Sequence, residues 1–203
     1  WHTFQVLTKR SARARKYLSA WESRERIGDI QHRELGDNCA YTNVACDAIW
    51  PLANVWLGVS AEDQQRADER VPDLLDAPAK VRFISAEPLL GLIELRDIHD
   101  GIDCLGRRSG TCIDWVIVGG ESGNAARPVH PDWVRALRDQ CARAGVPFFF
   151  KQWGTLAAVY DRDLEDPDWR RCGAVERSTP RGRWLNLSGG HGFHGDRVVR
   201  VDR

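Results

Sequence analysis

Ile113-Asp-Trp-Val-Ile-Val-Gly-Gly-Glu-Ser-Gly123 is the stretch from which the fold is read. Its apolar run is short and rich in β-branched and aromatic residues, and it stops in glycines placed around a carboxylate. That pattern predicts a strand covered on both faces, which is characteristic of parallel sheets with helices packed on them. The exit Gly119-Gly120-Glu121-Ser122-Gly123 has two readings. One is a glycine turn with a solvated Glu121. The other is a ligand site, because glycines admit positive φ and let a ligand approach main-chain N–H groups. The motif is neither the full dinucleotide fingerprint nor a P-loop, since no Gly-Lys-Ser/Thr follows.

Four further runs carry the same signal: Thr3 to Thr8, Asn54 to Ser60, Val81 to Ser85 and Pro147 to Gln152. Between the five runs, helical patterns are predicted over Ser11 to about Arg24, Glu62 to Leu75 and Pro131 to Ala144. The last is the clearest, with Pro131 and Asp132 in its first turn and Gly145 and Pro147 closing it. Thr8 or Ser11, and Ser60-x-x-Asp63, are candidate caps for the other two. Strand and helix in alternation predict parallel βαβ units. The class is therefore α/β. Five strands suit an open doubly wound sheet, or part of a barrel that needs more strands than these.

The segment Glu22 to Ala53 is charged and irregular and is expected to be an insertion between the first two strands. Residues 155–203 change character, becoming rich in Asp, Arg and Gly, with short strands expected only at Arg183 to Leu187 and Arg197 to Val201. The division is thus a (β/α) unit over 1–154, with its insertion at about 22–53, and a C-terminal appendage over 155–203. The chain opens at Trp1 directly into a strand and contains no methionine. It is expected to be a fragment of a longer protein.

Composition narrows the partners. The 203 residues carry 29 basic and 29 acidic side chains, so there is no net field to draw in nucleic acid or an anionic membrane. No apolar run approaches the roughly 20 residues of a membrane span, and no secretory leader is visible. A soluble, cytoplasmic protein is expected. The six cysteines, Cys39, Cys46, Cys104, Cys112, Cys141 and Cys172, form no C-x-x-C pair, which argues against a zinc ribbon or a disulfide framework. No metal site is assigned, and His191 and His194 are assigned to a loop. The run Arg10, Arg13, Arg15 and Lys16 is either the solvated face of a helix or a local patch for nucleotide or nucleic-acid phosphates.

In parallel architectures ligands bind beyond the carboxyl ends of the strands. Here those ends carry Lys9, Ser60 and Glu62, Glu87, then Gly119, Gly120, Glu121 and Ser122, then Lys151 and Gln152. Each alone reads equally as a cap or a turn. Together they predict a polar pocket for a small-molecule ligand, and these ten residues are the candidate binding set.

The stretches His2 to Arg10, Asn54 to Asp63, Arg82 to Gly91, Ile113 to Gly123 with Ala126-Arg127-Pro128, and Pro147 to Gly154 resemble, as an ordered set, a phage-associated family of unknown function named after bacteriophage gp thirty-seven and gp sixty-eight. The resemblance samples every strand of residues 1–154 and is loose beyond. Members of that family begin with a three-cysteine segment similar to the iron–sulfur loop of radical S-adenosylmethionine (SAM) enzymes, and this chain lacks it. The resemblance therefore implies an incomplete TIM-like, radical-SAM-like barrel encoded by a phage or prophage. It implies SAM and a 4Fe-4S cluster as cofactors of the complete family protein, with Glu121 holding the SAM amino group and Lys151 or Lys9 its carboxylate. The cluster reduces the SAM sulfonium and the adenosyl radical abstracts hydrogen. Without the cysteine segment, this chain is not expected to run that chemistry.

Overall fold

The computed structural model describes residues 2–35, 50–99, 101–106 and 111–159, with the backbone of 183–184 and 197–200. Strands β1 (Phe4–Thr8), β2 (Val55–Ser60), β3 (Val81–Ala86), β4 (Trp115–Gly119) and β5 (Phe148–Gln152) form one sheet. All four pairings are parallel, and the spatial order is the chain order. The sheet lacks the order reversal of a doubly wound fold.

The helices are α1 (Ser11–Ser19), α2 (Trp21–Leu35), α3 (Gln64–Asp76) and α4 (Pro131–Ala144). The caps of the last two are side-chain caps. Asp63 accepts the Arg66 N–H at 2.9 Å, while His130 Nδ1 accepts the Asp132 N–H at 3.0 Å. Gly145, at φ 67°, closes α4 in the left-handed conformation that glycine adopts without steric cost. Arg82 reaches back to the carboxyl end of α3 and donates to the carbonyls of Leu74 and Ala77, which have no partners within the helix.

Parallel partners share a face, so the register separates the two sides of the sheet. On one side Leu57 and Val59, Ile84 and Ala86, Val116 and Val118, and Phe148 and Phe150 meet Ala67, Val71 and Leu74 of α3 and Val134, Leu137 and Cys141 of α4 in one apolar cluster. Each fully buried Leu, Ile or Val there contributes about 1.5–3 kcal/mol. Between β3 and β4 the described residues contain no helix. Instead Leu89, Ile93, Leu95, Ile98, Leu105 and Ile113 fill the layer from an irregular segment, which Gln140 of α4 holds in place. Its side chain accepts the Leu95 N–H at 2.7 Å and donates to the Ile93 carbonyl at 2.9 Å, both in the core.

The opposite side carries Trp56, Phe83, Trp115 and Phe149, with Trp115 in ring contact with the other three at centroid distances of 6.0–6.5 Å. The Phe83 ring lies directly over the Cα of Gly58, where no side chain fits. Beyond these rings, toward the carboxyl ends, the same side becomes polar.

Two expectations are corrected. The stretch expected to be irregular from Glu22 begins with a 15-residue helix, α2, separated from α1 at Ala20, whose ψ of 132° is extended. Its periodicity is weak because it is polar on nearly all sides, with Ser23 the one buried residue among those whose side chains are described; residues 36–49 lie outside the described residues. In the C-terminal part, strand β6 (Leu156–Val159) was not foreseen. It pairs antiparallel with β8 (Arg197–Arg200), which also pairs with the two-residue β7 (Arg183–Trp184). The two expected short strands are thus present over 183–184 and 197–200, and their remaining residues, 185–187 and 201, lie outside the described residues. His191 and His194 lie outside the described residues.

Candidate functional site at the carboxyl-end rim

Each strand exit delivers a charge to the same rim. Lys9, after β1, pairs with Glu62, after β2, at 2.5 Å, and Arg70 of α3 meets the other Glu62 oxygen at 2.9 Å while also donating to the Ser60 carbonyl. Glu62 is only 8% exposed. Burial pushes its carboxyl up, but the Lys9 hydrogen bond, its own backbone amide and the charges of Arg70 and Lys9 outweigh that and hold it below the ordinary range.

After β3, Glu87 folds over the exit of β4. Its carboxylate occupies the space where a Cβ on Gly119 would lie. The Ser85 hydroxyl donates to it at 3.3 Å, and Lys151 of β5 approaches both its oxygens at 3.4 Å. The register of β4 and β5 shifts between Val118 and Gly119, so that Gly119 partners Gln152 and Lys151 is the extra residue of the bulge. The Pro88–Leu90 turn is tied to both neighbours, Leu89 N–H to the Gly119 carbonyl and Leu90 N–H to the Glu62 carbonyl.

Among the described residues, Arg127 is what holds the Glu121 carboxylate. The guanidinium donates to both carboxylate oxygens at 2.8 and 2.9 Å, and the Arg127 backbone N–H adds a third bond at 2.8 Å. These side-chain and backbone hydrogen bonds draw the Glu121 carboxyl down to about 2. The same hydrogen bonds to Glu121 raise the pKa of the exposed Arg127, with a smaller contribution from the charge of Glu62.

Nine of the ten candidate residues fall into four groups, with Gly120 apart against the Trp153 carbonyl: Lys9 and Glu62, with the Ser60 backbone, around Arg70; Glu87 and Lys151 over Gly119; Glu121 on Arg127; and Gln152, which donates to the Ser122 hydroxyl at 3.3 Å. Gly119 and Gly120 do not have positive φ, contrary to the expectation for the strand exit; among the glycines of this loop it is Gly123, at 126°, that does. The reason for the pair is space. Glu87 fills the room above Gly119, and the Trp153 carbonyl fills the room above Gly120.

Arg70, Arg127 and Ser85 were missed. Arg127 lay within the quoted Ala-Arg-Pro motif, but its loop brings it back to Glu121 by a path that local spacing does not reveal. The basic run near α1 is divided, since Arg15 is committed to Asp73 at 3.0 Å and Asp76 at 3.4 Å.

Among the described residues, no group of three or more His, Cys, Asp or Glu side chains is arranged to hold a metal ion. Cys104 and Cys141 are buried in the core and Cys112 is half-buried, and none of the three belongs to a group that could hold a metal ion or an iron–sulfur cluster. Cys39, Cys46 and Cys172 lie outside the described residues. No helix among the described residues is long and apolar enough to cross a membrane.

A family model described as a protein of unknown function (DUF5131) matches residues 1–186. No curated protein and no solved structure matches the chain.

Proposed function

The chain belongs to the DUF5131 family, and from its rim geometry we propose that it binds a small zwitterionic ligand across the carboxyl ends of β1 to β5. The observation that carries this is the convergence of Lys9, Glu62, Glu87, Glu121 and Lys151, from all five strand exits, into ion pairs on one rim. Paired opposite charges there suit a molecule that presents an ammonium and a carboxylate together. SAM is the ligand of this class that the sequence resemblance to radical SAM barrels implies. The parallel strands in consecutive order, with helices on one side, support the reading of the sheet as an arc of a (β/α) barrel. The described cysteines do not fit a cluster, so the proposal for this chain is binding, with no radical step.

Calorimetric titration of SAM into the protein, paired with amide shift mapping, tests the reading. Saturable binding with shifts at Gly119 to Ser122 and Lys151 to Trp153 is expected. Absence of heat, or shifts confined to α1 with salt-dependent retention on single-stranded DNA, would overturn it in favour of the phosphate-binding alternative at Arg10, Arg13 and Lys16.

A further inference from the structure

The three carboxylates of the rim are unequally committed. Glu62 is buried between Lys9 at 2.5 Å and Arg70 at 2.9 Å. Glu121 accepts three hydrogen bonds of 2.8–2.9 Å from Arg127. Freeing either would strip short charge-assisted bonds from the guanidinium or ammonium left behind. Glu87 is different. Its contacts, Ser85 at 3.3 Å and Lys151 at 3.4 Å, lie at the long limit of hydrogen bonding, although the side chain is only 20% exposed. It keeps that position because Gly119 leaves a space in which it lies, and Lys151, the cation that pairs with it among the described residues, is more than half exposed.

We infer that the Glu87–Lys151 pair over Gly119 is the exchangeable part of the rim and takes the α-amino-acid end of the ligand. The ligand's ammonium replaces the Lys151 ammonium on Glu87, and Lys151 turns to the ligand's carboxylate. Every charge keeps an opposite neighbour through this exchange, so none is left buried alone. Gly119 acts as the positioning residue, holding the Glu87 carboxylate in place. Glu121, in the glycine-rich motif, stays with Arg127 and orders the loop. The inference rests on the zwitterion reading above and names which groups carry it.

The test is a variant series titrated with two probes, SAM and its decarboxylated analogue, each variant checked by thermal melt. Glu87→Gln is expected to weaken SAM by about tenfold to a hundredfold, as loss of one charge-assisted bond does. Gly119→Ala should do the same by displacing the carboxylate while leaving every charge in the chain. Lys151→Met should weaken SAM but leave the decarboxylated probe within about threefold, because that probe has no carboxylate to lose. Glu121→Gln loosens the Arg127 loop but leaves the exchangeable pair in place, so it should weaken SAM less than Glu87→Gln does. If Gly119→Ala does not fold, the Lys151→Met contrast between the probes decides. A wild-type protein that binds SAM while Glu121→Gln abolishes binding and Glu87→Gln does not would overturn this inference and leave the rim reading standing. A wild-type protein that binds neither probe would overturn both.

Discussion

The carbonyl of Trp153 fills the space beside the Cα of Gly120 that a side chain would need. The contact is backbone against backbone, and the Gly120 N–H donates to the Gln152 carbonyl at 2.8 Å in the same crossing. Neither chain can swing aside as a flexible side chain would. Gly120→Ala should therefore cost at least as much as ordinary overpacking, about 1–3 kcal/mol, and should loosen the exits of β4 and β5 together. Chemical denaturation is the measure, and a variant as stable as the parent would mean that the two backbones part easily.

Gln140 does from α4 what a helix between β3 and β4 would otherwise do. Gln140→Leu keeps the volume but leaves the Leu95 N–H and the Ile93 carbonyl unpaired in the core, at about 1–3 kcal/mol for each. Hydrogen exchange should show the Leu95 amide losing protection before the amides of β3. Uniform loss along both would mean that the segment and the sheet open as one unit.

Acid should weaken the rim with a definite sign. The Glu121 carboxyl stands at about 2 in the folded protein against an ordinary 4.5, so its pairing with Arg127 stabilises fully above 4.5 and is lost as the pH falls toward 2. The Arg127 side chain is 60% exposed, so water screens the pair and the effect on global stability is small. Its local signature is clearer: in Arg127→Ala the Glu121 carboxyl should titrate closer to 4.5, as followed by carbon NMR. An unmoved titration would show that the fork is not what holds it down.

Thiol chemistry should separate by layer. Burial raises the Cys104 thiol well above the ordinary range and pushes Cys141 up to about 11, so neither forms appreciable thiolate at pH 8. Alkylation of the native protein, read by peptide mass, should spare both and modify them only on unfolding. Rapid native modification of Cys104 would mean that the segment between β3 and β4 opens readily.

The class and the strand set were legible in the sequence because their cause is local. Continuous apolar runs such as Trp115 to Gly119 suit the strands of a parallel sheet, although helices cover only one side here and Trp115 and Phe149 stay partly exposed on the other, and Pro131 and Gly145 bound α4 through their own backbone preferences. The strand exits were legible too, as positions where an apolar run meets a charge. Tertiary structure alone decided what those charges do. Glu121 to Arg127, Glu62 to Arg70 and Glu87 to Lys151 are pairings across loops, a helix and three strands, and no spacing along the chain encodes which carboxylate faces which cation. The same holds for Gly119 and Gly120. Their sequence suggested unusual backbone angles, whereas their need for glycine comes from Glu87 and Trp153, groups more than 30 residues away in the chain that packing brings against them.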